Sequence, residues 1–176
     1  MSAEMAHHRG AAVLVVSDRV AAGVQDDASG PALAGRLKEA GWRIEACEVN
    51  SDDVDAIAET LARLADDDRI QLILTSGGTG LAVRDVTPDA TRRIADREVP
   101  GIAEALRARS FEQTPHAMLS RATSAIRGQT LIVNLPGSPR GACATFETLA
   151  PVLDHAIALL RQLPVGQAEH RAADRS

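Results

Sequence analysis

Leu72-Ile73-Leu74-Thr75-Ser76-Gly77-Gly78-Thr79-Gly80-Leu81-Ala82-Val83-Arg84-Asp85-Val86-Thr87-Pro88 is the stretch around which the rest of the chain can be read. Its apolar opening, Leu72 to Leu74, predicts a buried strand, and the three glycines within Gly77–Gly80 predict a sharp turn after it. Lacking a Cβ, glycine admits unusual backbone angles and lets a ligand approach the main chain. N–H groups exposed in such a turn can cradle an anion, phosphate above all. Arg84 and Asp85 add one fixed cation and one carboxylate beside the loop. A plain strand-to-helix turn with a surface Arg84–Asp85 ion pair accounts for the same residues equally well. The flanking chain has to decide.

Upstream, Ala11 to Val16 is a second uninterrupted apolar run, the pattern of a strand covered on both faces in a parallel sheet. Ser17 to Ser29 reads as a loop, and Ser29 or Gly30 with Pro31 opens a helix that Gly41 stops. Trp42 to Val49 reads as a strand, and Val54, Ile57, Ala58, Leu61, Leu64 and Ala65 share one helical face. Arg69 to Thr75 then forms the third strand, completing a β-α-β-α-β order that implies parallel strands. Downstream, Thr87 reads as the cap of a helix over Pro88 to Ala95. Pro100-Gly101 breaks the chain, a second helix covers Ile102 to Arg109, and Thr114-Pro115 opens a short segment. Met118–Ile126 and Gln129–Asn134 flank Arg127-Gly128 as a hairpin. A helix from Arg140 to Gln162 must kink or restart at Pro151. The expected fold is a three-layer α/β/α domain over residues 11–163, with a mostly parallel central sheet and a small β-hairpin element. Residues 1–10 are expected to be a disordered arm and 164–176 a disordered tail.

Composition narrows the function. Aromatic residues are 2% of the chain (Trp42, Phe111, Phe146), too few for base-stacking platforms, and the core must be aliphatic. A net charge of −5 argues against general nucleic-acid binding, so an anionic ligand must be held by a local site. Cys47 and Cys143 form no C-x-x-C pair, and neither a disulfide framework nor a zinc site is expected. With no run of eighteen apolar residues and no apolar leader, the expectation is a cytoplasmic protein without a membrane span. His7-His8 reads as a tag-like pair, and His116 and His155 receive no role.

In an open parallel sheet, ligands bind outside the C-terminal ends of the strands. Ser17-Asp18-Arg19, Asn50 to Asp53, Ser76 to Asp85 and Asn134 to Pro139 all arrive there. Two of these loops suit anions and two carry carboxylates, which suggests a phosphate-bearing ligand with Mg2+ between phosphates and protein. Gly77, Gly78, Thr79 and Gly80 are the candidate phosphate donors, with Asn134, Pro136, Gly137 and Ser138 as the opposite wall and Ser17 a further contact. The loop is neither the dinucleotide fingerprint, which needs G-x-G-x-x-G, nor a P-loop, which needs Gly-Lys-Ser/Thr. From the residues alone, Asp52 is better read as a helix N-cap than as a ligand.

Taken together, T-S-G-G-T-G-L-A-V-R-D-V-T-P (Thr75 to Pro88), P-G-I-A-E-A-L-R (Pro100 to Arg107), M-L-S-R (Met118 to Arg121) and N-L-P-G-S-P (Asn134 to Pro139) resemble the molybdenum cofactor biosynthesis family of molybdopterin adenylyltransferases. The resemblance covers about residues 11–162. It implies a Mg2+-dependent transfer in which the terminal phosphate of molybdopterin attacks the α-phosphorus of ATP, releasing pyrophosphate. It also implies that Asp52 and Asp85 are the essential, magnesium-holding carboxylates, and that Ser120 contacts the pterin. A homotrimer, or else a hexamer, and a molybdenum-insertion enzyme as partner are implied as well. Ala82-Val83 departs from the family's commoner loop, which carries proline near position 83, but removes no chemical group. The competing reading is a non-catalytic molybdopterin-binding or scaffold protein of the same family. A third, the related metal-insertion domain, normally brings additional domains.

Overall fold

The computed structural model describes residues 9–162. The expectations for an N-terminal arm up to residue 8 and for a tail from 164 lie outside the described residues. In chain order the elements are β1 (Gly10–Val16), α1 (Asp18–Ala21), α2 (Ser29–Glu39), β2 (Arg43–Asn50), α3 (Val54–Ala65), β3 (Leu72–Ser76), α4 (Thr87–Ile94), β4 (Arg97–Glu98), α5 (Pro100–Phe111), a 3-10 turn (Pro115–Leu119), β5 (Ser124–Arg127), β6 (Thr130–Leu135) and α6 (Pro139–Leu160).

The six strands form one sheet in the order β2-β1-β3-β6-β5-β4. The first four are parallel, and β5 and β4 extend the sheet antiparallel. Every residue of β1 and β3 is buried, as the apolar runs require of strands covered on both faces. Alternation along the strands divides the core in two. Val13, Val15, Leu72 and Leu74 pack with Leu33 and Leu37 of α2, Leu106 of α5, and Phe146 and Leu149 of α6. Leu14, Val16 and Ile73 pack with Ile57 and Leu61 of α3 and Ala90 of α4. The three layers are thus α2/α5/α6, sheet and α3/α4. Each fully buried leucine contributes about 1.5–3 kcal/mol relative to exposure, so the aliphatic core compensates for the scarcity of aromatics.

Several local expectations are corrected. β1 takes in Gly10, and Arg9, read as part of the arm, pairs with Asp154 and lies 5.9 Å from the centre of the Trp42 ring. Ser17 does not begin a loop: its hydroxyl caps the short helix α1 by accepting from the Val20 N–H. Thr87 lies within α4 rather than capping it, because its buried hydroxyl is used elsewhere, as described below. Pro100-Gly101 starts α5 instead of breaking the chain, since proline suits the first helical turn. Met118 and Leu119 belong to the 3-10 turn, so β5 begins only at Ser124. The hairpin turn is Gly128-Gln129, with Arg127 paired to Thr130 and Gly128 at φ 56°. The two-residue β4 is too short to leave a periodic signal. α6 continues through Pro151 as one helix. By length and composition alone α6 could cross a bilayer, and its Phe146, Leu149, Leu153 and Ile157 form a buried stripe packed into the core.

Candidate active site

The four parallel strands end in step, with Val16 opposite Asn50, Val15 opposite Ser76, and Ser76 opposite Leu135. Their following loops therefore meet at one edge of the sheet, beside the switch between β1 and β3. Gly77 and Gly78 adopt φ 108° and 62°, which carries the chain across the end of β1. A Cβ on Gly77 would lie 2.2 Å from the Val16 carbonyl oxygen, and one on Gly78 2.4 Å from the Thr87 hydroxyl. That hydroxyl donates to the Gly77 carbonyl at 2.9 Å, and the Thr87 N–H donates to the Gly78 carbonyl at 3.1 Å. Thr87 thus buttresses the turn from beneath instead of capping its own helix.

The second turn-rich loop packs directly against the first. A Cβ on Gly137 would stand 3.2 Å from the Gly77 Cα. The Ser76 hydroxyl donates to the Pro136 carbonyl at 2.9 Å, and the Ser29 hydroxyl donates to the Gly137 carbonyl at 2.8 Å. Ser138 caps α6 by accepting from the Gly141 N–H at 3.1 Å. Asn134 is buried at 2% exposure and its amide is fully engaged. It donates to the Thr75 and Thr91 hydroxyls at 3.0 and 2.9 Å and accepts from the Thr123 N–H at 3.2 Å. Although it lines the pocket described below, its amide ties β3, α4 and the residue before β5 together. Asn134→Ala is expected to cost about 1–3 kcal/mol for the buried partners left unpaired, measurable as a lowered urea midpoint.

The carboxylates gather on one side of the glycine loop. Asp52 does not cap α3; Asp53 does, accepting from the Ala56 N–H at 2.9 Å. Asp52 instead exchanges hydrogen bonds with Asp18. The Asp18 N–H donates to Asp52 Oδ2 at 2.8 Å, and the Asp52 N–H donates to Asp18 Oδ1 at 3.0 Å. The other oxygen, Asp52 Oδ1, lies 3.2 Å from where a Gly78 Cβ would be. Asp85 Oδ2 lies 2.8 Å from the corresponding point on Gly80 and accepts from the Ala82 N–H at 2.8 Å. Arg84 pairs with Asp18 rather than with Asp85, Nε and Nη2 reaching its two oxygens at 2.5 and 2.7 Å. Hydrogen bonding to Arg84, and next to the Asp52 N–H, holds the Asp18 carboxyl below its ordinary pKa. Three carboxylates and one guanidinium thus surround the glycine turn, with Asp18 already neutralised by Arg84.

Next to the loop a cavity of about 350 Å³ opens between α5, the 3-10 turn and the start of α6. Thr79, Gly80, Ser120, Asn134, Pro136 and Ser138 line it. Its far wall comes from residues the sequence did not single out as contacts, among them Arg107, Thr114, Thr145 and Thr148, together with His116. Thr114-Pro115 marked a turn but gave no sign that it would close a pocket. Asp52, Asp85, Gly77, Gly78, Ser17 and Gly137 are not in that lining. The predicted residues therefore fall into two groups, a pocket and a carboxylate shelf, with Thr79-Gly80 as the wall between them.

Among the described residues no three His, Cys, Asp or Glu side chains converge to hold a metal by themselves. Mg2+ asks for less, binding through one or two carboxylates and completing its shell with water and substrate phosphate. Asp52 and Asp85 are the carboxylates nearest the turn, with Asp52 Oδ1 and Asp85 Oδ2 at 3.2 and 2.8 Å from where a Cβ would stand on Gly78 and Gly80.

The chain has known relatives. A family profile described as a probable molybdopterin binding domain matches residues 12–155. The chain belongs to this family. It is 45% identical over 142 residues to a molybdopterin adenylyltransferase of Haemophilus influenzae, covering 79% of this chain and 70% of the relative. It is 36% identical over 152 residues to a molybdopterin adenylyltransferase of Helicobacter pylori, covering 84% of this chain and 85% of the relative. Among solved structures, the molybdopterin biosynthesis enzyme MoaB of Thermus thermophilus superposes with a TM-score of 0.82 at 44% identity, over 88% of this chain and 98% of that one. The molybdenum cofactor family of the motifs and the three-layer fold of the strand order are both met.

Proposed function

We infer that this protein is a molybdopterin adenylyltransferase of molybdenum cofactor biosynthesis, with ATP and molybdopterin as substrates. The observation that carries the reading is the pairing of a pocket with a group of carboxylates around the Gly77–Gly80 turn. A pocket of about 350 Å³ falls in the range of small-molecule sites. It suits the pterin, with Ser120 and the threonines of α6 as hydrogen-bonding partners. The shelf suits the nucleotide phosphates, and the turn between them is where two phosphate groups can meet.

In the reaction, a terminal phosphate oxygen of molybdopterin forms a bond to the α-phosphorus of ATP. The bond from that phosphorus to the β-bridging oxygen breaks, and pyrophosphate leaves with the electron pair. The attacking phosphate is already ionised near neutral pH, so the chain need not supply a strong base. Its contribution is positioning and electrostatics. Gly78 and Gly80 bring the main chain to the phosphates without side-chain bulk, and Thr79 between them adds a hydroxyl. Asp18, neutralised by Arg84, holds Asp52 in place. Asp52 and Asp85 would hold Mg2+, which supplies charge neutralisation between the two anionic substrates when bound.

An ATP-consuming reaction accords with a cytoplasmic location, and a homotrimer is the assembly that the family resemblance implies. Incubation of the protein with ATP, Mg2+ and molybdopterin should release pyrophosphate and yield the adenylylated pterin. Tight pterin binding without product would turn the reading to a carrier or scaffold of the same family.

A further inference from the structure

Arg121 follows Ser120 in the pocket wall and has no part in the chemistry above. Its main-chain N–H donates to the Thr79 carbonyl at 2.8 Å, and its Nη1 donates to the Asp85 carbonyl at 3.0 Å. One residue therefore grips both ends of the segment that carries the carboxylate shelf. Between those grips the segment has little packing of its own, with Leu81 65% and Val83 97% exposed. Nη2 of Arg121 reaches both oxygens of Asp89 in the first turn of α4, at 2.6 and 2.7 Å, which anchors the guanidinium to the scaffold. A planar fork of N–H donors can hold a carbonyl and a carboxylate at once, whereas a lysine ammonium is a single point.

We propose that Arg121 is a positioning residue that sets the Asp85 carboxylate relative to the pterin pocket. Ser120 on the pocket and Asp85 on the shelf hang from one rigid link, so the clamp fixes the separation of the two substrates' phosphates. The kinetic side of this proposal rests on the adenylyl-transfer reading; its structural side does not. A matched control exists in the same molecule. Arg127 holds Asp66 at 2.8 and 2.9 Å and the Ile94 carbonyl at 3.1 Å, with nothing of the site in contact. It carries the same kind of grip without the proposed role.

The test compares Arg121→Lys and Arg127→Lys with the parent protein by thermal midpoint, hydrogen exchange of amides 79–86, and steady-state adenylyl transfer. Both variants should lose a similar amount of midpoint. Only Arg121→Lys should exchange those amides at least about tenfold faster and lower kcat about a hundredfold with little change in KM, the cost of a small misplacement of reacting groups. Asp89→Asn keeps Arg121 and weakens its anchor, so it should move both readouts in the same direction by less. It also decides the matter if Arg121→Lys does not fold. Unchanged exchange over 79–86 overturns the clamp, as does an equal loss of kcat in the two arginine variants. An inactive parent protein given active substrate overturns the adenylyl-transfer reading instead, and the exchange result then decides the clamp alone.

Discussion

Asp85→Asn is expected to lower adenylyl transfer by about 10²–10³-fold, the scale on which removal of one preorganised electrostatic group is felt. The substitution keeps shape and removes charge. An asparagine oxygen can still accept from the Ala82 N–H, now held at 2.8 Å by the carboxylate, so the loop keeps its local bond. Asp85 is outside the pocket lining, so pterin affinity should be nearly unchanged while turnover collapses. The thermal midpoint should also stay close to that of the parent, because Asp85 is only half-buried and its ion-pair alternative, Arg84, is engaged with Asp18. Turnover within a fewfold of the parent would remove Asp85 from the role assigned to it. A matching loss of pterin binding would show instead that shelf and pocket are not separate.

Gly77→Ala should be among the most destabilising single-methyl additions in this fold. At φ 108° the residue lies where side chains are strained, a cost of about 1–3 kcal/mol. The added carbon would also meet the Val16 carbonyl oxygen at 2.2 Å, a contact with backbone that no rotamer change can relieve. Gly128→Ala separates the two causes. Its φ of 56° is also positive, but nothing lies within 4 Å of its Cβ position, so only the backbone term of about 1–2 kcal/mol applies. Urea midpoints should therefore fall further for Gly77→Ala than for Gly128→Ala. Equal falls would mean that β1 and the turn can separate freely, and the close approach of Gly77 to Val16 would then not be a constraint. Activity should divide the two variants as well, since only Gly77 belongs to the loop between shelf and pocket.

Much of this protein was legible before any coordinate. Ala11–Val16, Leu72–Leu74 and Leu131–Val133 are apolar on consecutive positions, which only a sheet covered on both faces accommodates. Helical spacing in α3 and α6 named the stripes that cover it. Strands of that type, alternating with helices, bring their following loops to one edge, so the candidate residues could be gathered there without knowing a contact. Partners of polar side chains were beyond reach, because they are set by neighbours distant in the chain. Arg84 was read with Asp85 next to it, yet its partner is Asp18, 66 positions away. Asp52 looked like a cap, but Asp53 is the residue whose extended backbone aims a carboxylate at the start of α3. Thr87 was read as a helix cap and proves to be a buried brace, while Asn134, read as part of a ligand wall, lines the pocket and also joins separate elements through its amide. Sequence order and apolar periodicity determined the layers, the sheet edge and the glycine turn. Only the tertiary structure decided which side of that turn each residue faces, since a side chain's direction there follows from the φ of Gly77 and Gly78 and from what packs beneath them.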